Sequence, residues 1–398
     1  MEKSLNRLKE LLFTDLEKLD NKITENNTPF LFLDLVRAID IYTLFEYPDK
    51  EKFDNFIQFG YYKFLKQLYR HNTFNEIYFP FSKTSENLLS FCHYHLFLYG
   101  KYRGVERSID LIKSGEAVIF ENNTNNFTIH FPAEIGVEYI ENKYFSNYLK
   151  LMRDFVLKDK IILLDQQEQH IHKQLSKEIS VNKEHFIKYG STPEIDEYYF
   201  RKGYILLMSS QITDDFDEKF TFGGIKYKFF LDVLQSVIGV ALKHIDACLL
   251  LKDKNANIEI YNIISTPVVL DEIADQYASF LNIDKAQVKE ILDVLTITET
   301  NIVAHKADDK EFSPPFIKVG KKFVLRSIKG CLQSSVYFLQ SELKTRYPKD
   351  YFKWINEREG FFRKQLYDLF DSGRIIRIER NIELNSNKIR TDIDAVFV

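Results

Sequence analysis

Apolar residues in most of the first 315 positions recur at helical spacing. From Leu5 to Leu19 the leucines follow one another at steps of three or four, which predicts a helix over residues 2–24. Similar patterns, with Phe and Tyr as the bulky members, predict further helices over residues 30–48, 53–70, 85–99, 135–159, 193–211 and 225–251. The chain has 35 Phe and 23 Tyr spread through these segments, so we expect them to fill the core of a helical body.

Two segments depart from this pattern. The stretch EAVIFENNTNNFTIHFP has two β-rich runs on either side of an Asn-rich turn, which predicts a hairpin near residues 116–132. Residues 269–298 have a sequence pattern similar to that of a helix-turn-helix. However, Ala274 and Val288 are one helical turn further apart than the DNA-reading motif requires. We therefore favour a plain helical hairpin there, followed by the strand pair in PFIKVGKKFVLRS.

Another helix is predicted over residues 350–373, in DYFKWINEREGFFRKQLYDLFDSG, with Gly373 as its C-terminal cap. Glu359 lies in a gap of the apolar stripe of this helix. A carboxylate on a buried face costs free energy unless it meets a cation, a donor or a metal, so Glu359 is a candidate site residue. The apolar stripe consists of Ile355, Phe362, Leu366 and Leu369.

The last two runs, RIIRIERNIEL and KIRTDIDAVFV, alternate as strands do and are joined by the polar turn 385–387. They predict an antiparallel hairpin. On the second strand Lys388, Arg390, Asp392 and Asp394 share one face. The order of elements is therefore a helix with Glu359, a strand, and a strand with an aspartate pair.

Charge divides the chain unevenly. Residues 316–398 hold 17 Lys and Arg against 10 Asp and Glu, or +7, and since the whole chain carries −4, residues 1–315 carry −11. A basic block of this kind is typical of a surface that binds a polyanion, although it can also pack against an acidic neighbour. The three cysteines form no CxxC pair, and no signal peptide or membrane span is evident, so we expect a cytoplasmic protein without membrane contact.

The C-terminal order resembles the opening of the PD-(D/E)xK, or restriction-endonuclease-like, nuclease superfamily. REGFFRKQLYDLF is similar to the first core helix of that family, and TDIDAVFV to its second-strand motif. The resemblance implies Mg²⁺ as cofactor and DNA as substrate. It implies Asp394 as the principal metal ligand, Asp392 as an auxiliary ligand, and Glu359 as a helix-borne ligand or base-side carboxylate. Lys388 and Arg390 would hold adjacent phosphates.

The resemblance also implies a third strand with an E-x-K or Q-x-K element and a covering helix, which these residues do not contain. We therefore expect the front part of a longer nuclease, and no catalysis by these 398 residues alone. A bacterial restriction or phage-defence setting fits this interpretation, with a homo-oligomer or a defence-system protein as partner. The alternative is a non-enzymatic helical interaction protein whose basic C-terminal region contacts a partner or nucleic acid.

The predicted fold is α+β and predominantly α-helical. A helical body, residues 1–315, carries the hairpin near 116–132 and the helical hairpin near 269–298. The basic C-terminal region, residues 316–398, includes at 350–398 the first helix and first two strands of a restriction-endonuclease-like core.

Overall fold

The structure is a computed structural model of the whole chain. It describes residues 2–25, 31–46, 55–71, 83–123, 126–131, 151, 154–182, 186–210, 219–265, 267–305, 314–321, 323–333, 335–368, 375–386 and 389–397. From residue 365 onward it describes the backbone alone.

The fold is predominantly helical with several small sheets, as the apolar spacing predicts. A π-helical turn, Tyr42–Glu46, continues the second helix. The helices of the described residues are α1 (Glu2–Glu25), α2 (Leu31–Ile41), α3 (Asn55–His71), α4 (Glu86–Ser114), α5 (Lys158–Glu178), α6 (Pro193–Ser210), α7 (Tyr227–Lys254), α8 (Ile260–Ile263), α9 (Leu270–Leu281), α10 (Lys285–Val294), α11 (Ile328–Leu332), α12 (Ser335–Arg346) and α13 (Pro348–Asp368).

The strands form one four-stranded sheet and several two-stranded hairpins. In the larger sheet the order is β7 (Pro267–Val269), β10 (Phe323–Arg326), β9 (Phe316–Val319) and β8 (Thr296–Ile297), where β8 and β9 run parallel and the other neighbours run antiparallel. The strands are β1 (Val118–Asn123), β2 (Asn126–His130), β3 (Ile179–Asn182), β4 (Phe186–Tyr189), β5 (Thr221–Phe222), β6 (Ile225–Lys226), β7 (Pro267–Val269), β8 (Thr296–Ile297), β9 (Phe316–Val319), β10 (Phe323–Arg326), β11 (Ile375–Ser386) and β12 (Ile389–Phe397).

Several segments have the form expected from the sequence. Residues 116–132 contain the antiparallel pair β1 and β2, and residues 269–298 contain the two helices α9 and α10. Asp284 caps the second of these, since its side chain accepts hydrogen bonds from the amides of Ala286 and Gln287. Most of the predicted helix 135–159 and the predicted cap Gly373 lie outside the described residues.

The chain divides into two units. Unit 1 comprises residues 1–212 and 229–340, and unit 2 comprises residues 213–228 and 341–398. The division differs from the boundary expected at residue 316, because β9 and β10 pair with β7 and β8 and so belong to the sheet of unit 1.

The core of unit 1 joins the first four helices to the four-stranded sheet. Its buried residues include Phe64 and Tyr99 from the helices and Ile317 and Leu325 from the sheet. Asp40, fully buried on α2, accepts hydrogen bonds from the hydroxyls of Ser265 (2.9 Å) and Ser327 (3.2 Å) and from the amide of Lys329 (2.9 Å). This carboxyl therefore ties an early helix to the segment that follows β10.

Helix α7 is long and apolar enough to cross a membrane, and the sequence analysis did not single it out in this way. However, 72% of its most apolar 18-residue window is buried inside the protein. Such burial is typical of the central helix of a globular core.

Candidate functional site

Glu359 lies exposed on α13. The residues by which the helix packs in unit 2 include Tyr351 and Trp354, whose ring centroids are 5.6 Å apart, and Trp354 also contacts Tyr227 at 5.3 Å. Half-buried Arg358 lies over the Trp354 ring. The packed face therefore includes Tyr351, Trp354 and Arg358. The expectation that Glu359 points along the buried face is wrong, because this face is rotated by one residue from the predicted apolar stripe and leaves Glu359 exposed.

The two aspartates lie on β12, which pairs with β11 as an antiparallel hairpin. Asp392 is opposite Glu383, and Arg390 is opposite Asn385. Lys388 lies outside the described residues, and for β12 the structure gives the backbone alone.

The pairing is irregular at Asp394. Ile393 is opposite Ile382, whereas Ala395 is opposite Arg377, so residues 378–381 of β11 all correspond to the single position of Asp394. Irregularities of this type bend the strand and are over-represented next to active sites. In the part of the chain that is described, no group of three or more His, Cys, Asp and Glu side chains has the arrangement of a metal site.

A second candidate site is a half-open cavity of about 570 Å³ within unit 1. It lies where the four-stranded sheet meets α6, α7 and α9, and Arg326 at the end of β10 faces it. The cavity is lined by Tyr189, Ser191, Asp196, Tyr199, Phe200, Ser236, Gly239, Val240, Lys243, Gln276, Tyr277, Ser279, Phe280 and Arg326.

Arg326 is buried, with 7% of the residue exposed. Among the described residues it forms no ion pair with an acidic side chain. Its guanidinium lies near the hydroxyl of Tyr189, and although burial raises the pKa of Tyr189 to about 12, Arg326 opposes that rise. A buried cation without a carboxylate beside it is uncommon, because desolvation of an unpaired charge is costly.

Tyr189 is held in turn by the fully buried His244. Nε2 of His244 lies 3.0 Å from the carbonyl oxygen of Ile263 and 2.8 Å from that of Ile264, so this nitrogen carries the proton. Nδ1 is then the acceptor for the Tyr189 hydroxyl, at 3.0 Å. Burial, with Arg326 nearby, lowers the pKa of His244 to about 3, so the ring is neutral.

The other cation of the cavity is already neutralised. Nζ of Lys243 lies 2.6 Å from Oδ1 of Asp196 and donates to the Ser191 hydroxyl at 3.1 Å. The Ser191 hydroxyl donates to the same carboxylate oxygen at 2.6 Å. The described side chains therefore leave one positive charge, that of Arg326, in excess.

One wall of the cavity connects to a polar cluster formed by side chains of α5, α6 and α7. The Tyr199 hydroxyl donates to Oδ2 of Asp246 at 2.8 Å, and Nε2 of His172 lies 3.2 Å from the same oxygen. Although burial opposes it, the bonds from His172 and Tyr199 and the charge of Lys202 lower the pKa of Asp246. The cluster fixes the orientation of the Tyr199 ring.

The sequence analysis did not identify Arg326, Lys243 or Asp196 as site residues. The available signal was Arg326 itself, a charged residue at the end of the apolar strand run FVLR. Lys243 and Asp196 lie 47 positions apart on two helices, and no spacing rule connects them.

Comparison of the chain with family models, with curated proteins and with solved structures gives no match.

Proposed function

We propose that residues 350–398 are the opening part of a metal-dependent DNA endonuclease domain, and that the helical body serves it as a recognition or assembly module. The observation that carries this proposal is the order α13, β11, β12 together with the pairing irregularity at Asp394. The extra residues belong to β11, opposite Asp394, and irregularities of this kind bend the strand that contains them and are over-represented next to active sites.

In this proposal Asp394 is the principal metal ligand, Asp392 supports it, and Glu359 supplies a third carboxylate from the helix. These donors fit a hard cation such as Mg²⁺, which prefers carboxylate oxygens. When bound, Mg²⁺ neutralises developing charge on the phosphate and lowers the pKa of the attacking water. The exposed position of Glu359 leaves its carboxylate accessible from solvent.

The substrate in this proposal is DNA. Residues 316–398 carry a net charge of +7. Arg390 precedes Asp392 by two positions on β12, and Lys388 precedes Asp392 by four positions in the sequence. Cationic side chains beside a metal site can hold the phosphates on either side of the scissile bond. A cytoplasmic restriction or phage-defence role, with a homo-oligomer or a defence protein as partner, belongs to the same proposal.

The test is plasmid cleavage with Mg²⁺ by the product of the entire coding sequence. We expect Asp394→Ala to lower the cleavage rate by roughly 100-fold or more, because the principal ligand is lost. Glu357→Gln is the matched control, since this exposed carboxylate on α13 lies outside the proposed site. Its rate should stay within about twofold of the wild type, as expected for a surface substitution.

Retained cutting by Asp394→Ala would remove the site assignment. If the wild-type protein binds DNA without cutting it, the alternative of a non-enzymatic interaction protein with a basic C-terminal region is favoured instead.

A further inference from the structure

We propose that the cavity around Arg326 binds a small organic anion, in which one phosphate or carboxylate group pairs with the guanidinium and a ring rests against the aromatic wall. This proposal concerns unit 1 alone and does not depend on the nuclease proposal.

The first argument is the charge balance of the cavity. Lys243 is neutralised by Asp196 at 2.6 Å, and the buried His244 is neutral, with Nε2 donating to backbone carbonyls and Nδ1 accepting from the Tyr189 hydroxyl. Arg326 remains, with no acidic side chain paired to it in the described part of the chain. An anionic ligand would neutralise this charge, and a planar guanidinium suits carboxylate or phosphate because it donates two parallel hydrogen bonds.

The second argument is that the cation is held in place before any ligand arrives. Arg326 is the last residue of β10, which lies between two neighbours in the sheet. The next residue, Ser327, donates its amide to the Pro315 carbonyl at 3.0 Å and its hydroxyl to Asp40. The guanidinium also hydrogen-bonds to the Tyr189 hydroxyl, so the side chain loses little conformational freedom when a ligand binds, which favours affinity.

The third argument is the shape and lining of the cavity. Its volume of about 570 Å³ lies within the range of small-molecule sites, roughly 300–1,000 Å³. Phe200 and Phe280 meet edge to face with centroids 5.3 Å apart, and Phe280 is 47% exposed. An exposed Phe in the same cavity as a buried cation provides an apolar surface against which a ring can stack.

The remaining polar groups give the ligand a second point of contact. Ser191, Asp196 and Lys243 form a small hydrogen-bonded cluster within the lining. Such a cluster offers both donors and an acceptor, so it would favour a ligand that carries hydroxyl or amine groups in addition to its acid. A nucleoside monophosphate is one ligand of this chemical class.

The experiment measures binding to the full chain by calorimetry and by thermal stabilisation. The probes are adenosine monophosphate, phenyl phosphate and benzoate, with inorganic phosphate and adenosine as the partial ligands. We expect at least one ring-bearing anion to bind at least about tenfold more tightly than either inorganic phosphate or adenosine. Comparing the affinities for phenyl phosphate and for benzoate shows whether the cavity prefers a phosphate or a carboxylate group.

Arg326→Met should weaken the binding of that anion by about tenfold or more, since it removes the charge and keeps much of the volume. Arg201→Met is the matched control, because Arg201 lies on α6 at the surface, pairs with Glu197 and is not part of the cavity lining. The affinity of Arg201→Met for the same anion should equal that of the wild type.

A third variant keeps the test decisive if Arg326→Met does not fold. Phe280→Ala changes a half-exposed side chain, so the fold should survive, and it should weaken ring-bearing anions by about threefold or more without changing the affinity for inorganic phosphate. The proposal fails if none of the ring-bearing anions binds the wild type. It also fails if a folded Arg326→Met, or Phe280→Ala where Arg326→Met does not fold, binds these anions as the wild type does.

Discussion

At the scale of single residues, the buried His244 couples the stability of unit 1 to pH. Its folded-state pKa of about 3 is below the ordinary value of 6.5. Between pH 3 and pH 6.5, therefore, this histidine is protonated in the unfolded chain and neutral in the folded protein. The destabilisation is absent above pH 6.5, grows as the pH falls, and is complete near pH 3. At pH 5 it amounts to about 2 kcal/mol.

We predict that His244→Gln removes this acid sensitivity. The variant loses stability at pH 7, because its neighbours lose hydrogen bonds. Between pH 7 and pH 5, however, the wild type should lose about 2 kcal/mol more than the variant does. Urea unfolding followed by circular dichroism at both pH values measures the difference.

Two buried carboxyls change the stability of unit 1 with pH in the opposite direction to His244. Burial raises the pKa of Asp34 and of Asp40 to about 6, above the ordinary 3.8, so both are penalised while charged and their penalty is relieved as the pH falls from 6 towards 4. The His244→Gln variant should therefore gain stability on mild acidification. Parallel pH profiles for wild type and variant would contradict this assignment.

Single-residue roles were the part that the sequence predicted least well. Glu359 stood in an apolar stripe at steps of three and four, yet among the described side chains of α13 it is Trp354 that is buried, because the rings of Phe222 and Tyr227 lie beside it. Arg326 is a candidate site residue because it lies near Tyr189, which is hydrogen-bonded to His244, and both of these residues are distant from it in sequence. Periodicity describes one helix or strand at a time and carries no information about which partner it meets.

At the scale of elements, two glycines set how closely α3 and α4 approach. A Cβ atom on Gly60 would lie 1.9 Å from the Leu96 carbonyl oxygen, and one on Gly100 would lie 1.6 Å from the Phe56 carbonyl oxygen. These contacts are with backbone, so no side chain can move aside to relieve them. The two helices therefore pack with their backbones nearly in contact.

We predict that Gly60→Ala and Gly100→Ala each destabilise unit 1 by about 3 kcal/mol, because the added methyl group forces the helices apart. Gly360→Ala is the control, since Gly360 lies on α13 and a methyl group added there would have no neighbouring atom within 4 Å. That change should be neutral or stabilise by up to about 1 kcal/mol, as helix propensity alone requires. Thermal unfolding of the three variants compares them, and equal effects at Gly60 and Gly360 would show that close packing is not the cause.

The sequence predicted the types of most elements. Leucine and aromatic spacing indicated α1, α3, α6 and α7, and the Asn-rich turn indicated β1 and β2. The short pairs β3–β4 and β5–β6 were missed, because strands of two to four residues are too short to show an alternation. The joining of β7 and β8 to β9 and β10 was missed for a different reason, since pairing between distant strands leaves no local pattern.

At the scale of the whole molecule, the single tryptophan allows the unfolding of unit 2 to be followed separately from that of unit 1. Trp354 is 2% exposed and contacts Tyr227, Phe222 and Tyr351, all of unit 2. Its fluorescence therefore reports on unit 2, whereas far-ultraviolet circular dichroism is dominated by the helices of unit 1. Multi-domain chains commonly unfold in more than one step, and such probes then disagree.

We predict that Gly60→Ala lowers the urea midpoint seen by circular dichroism and leaves the tryptophan midpoint unchanged within about 0.2 M, since a loss of about 3 kcal/mol in one unit shifts its midpoint by about 1 M or more. The wild-type emission maximum should also be blue-shifted, as expected for a buried indole. If both midpoints shift together, the two units unfold as one.

The hydrogen bonds of Asp40 have a consequence for synthesis on the ribosome. Its partners Ser265, Ser327 and Lys329 lie at least 225 residues away along the chain, so they leave the exit tunnel long after α2 does. Until then the carboxyl cannot be desolvated without cost, and the first four helices have no sheet to cover their apolar faces. The apolar faces of the nascent N-terminal helices therefore stay uncovered, and accessible to chaperones, until Lys329 has left the exit tunnel.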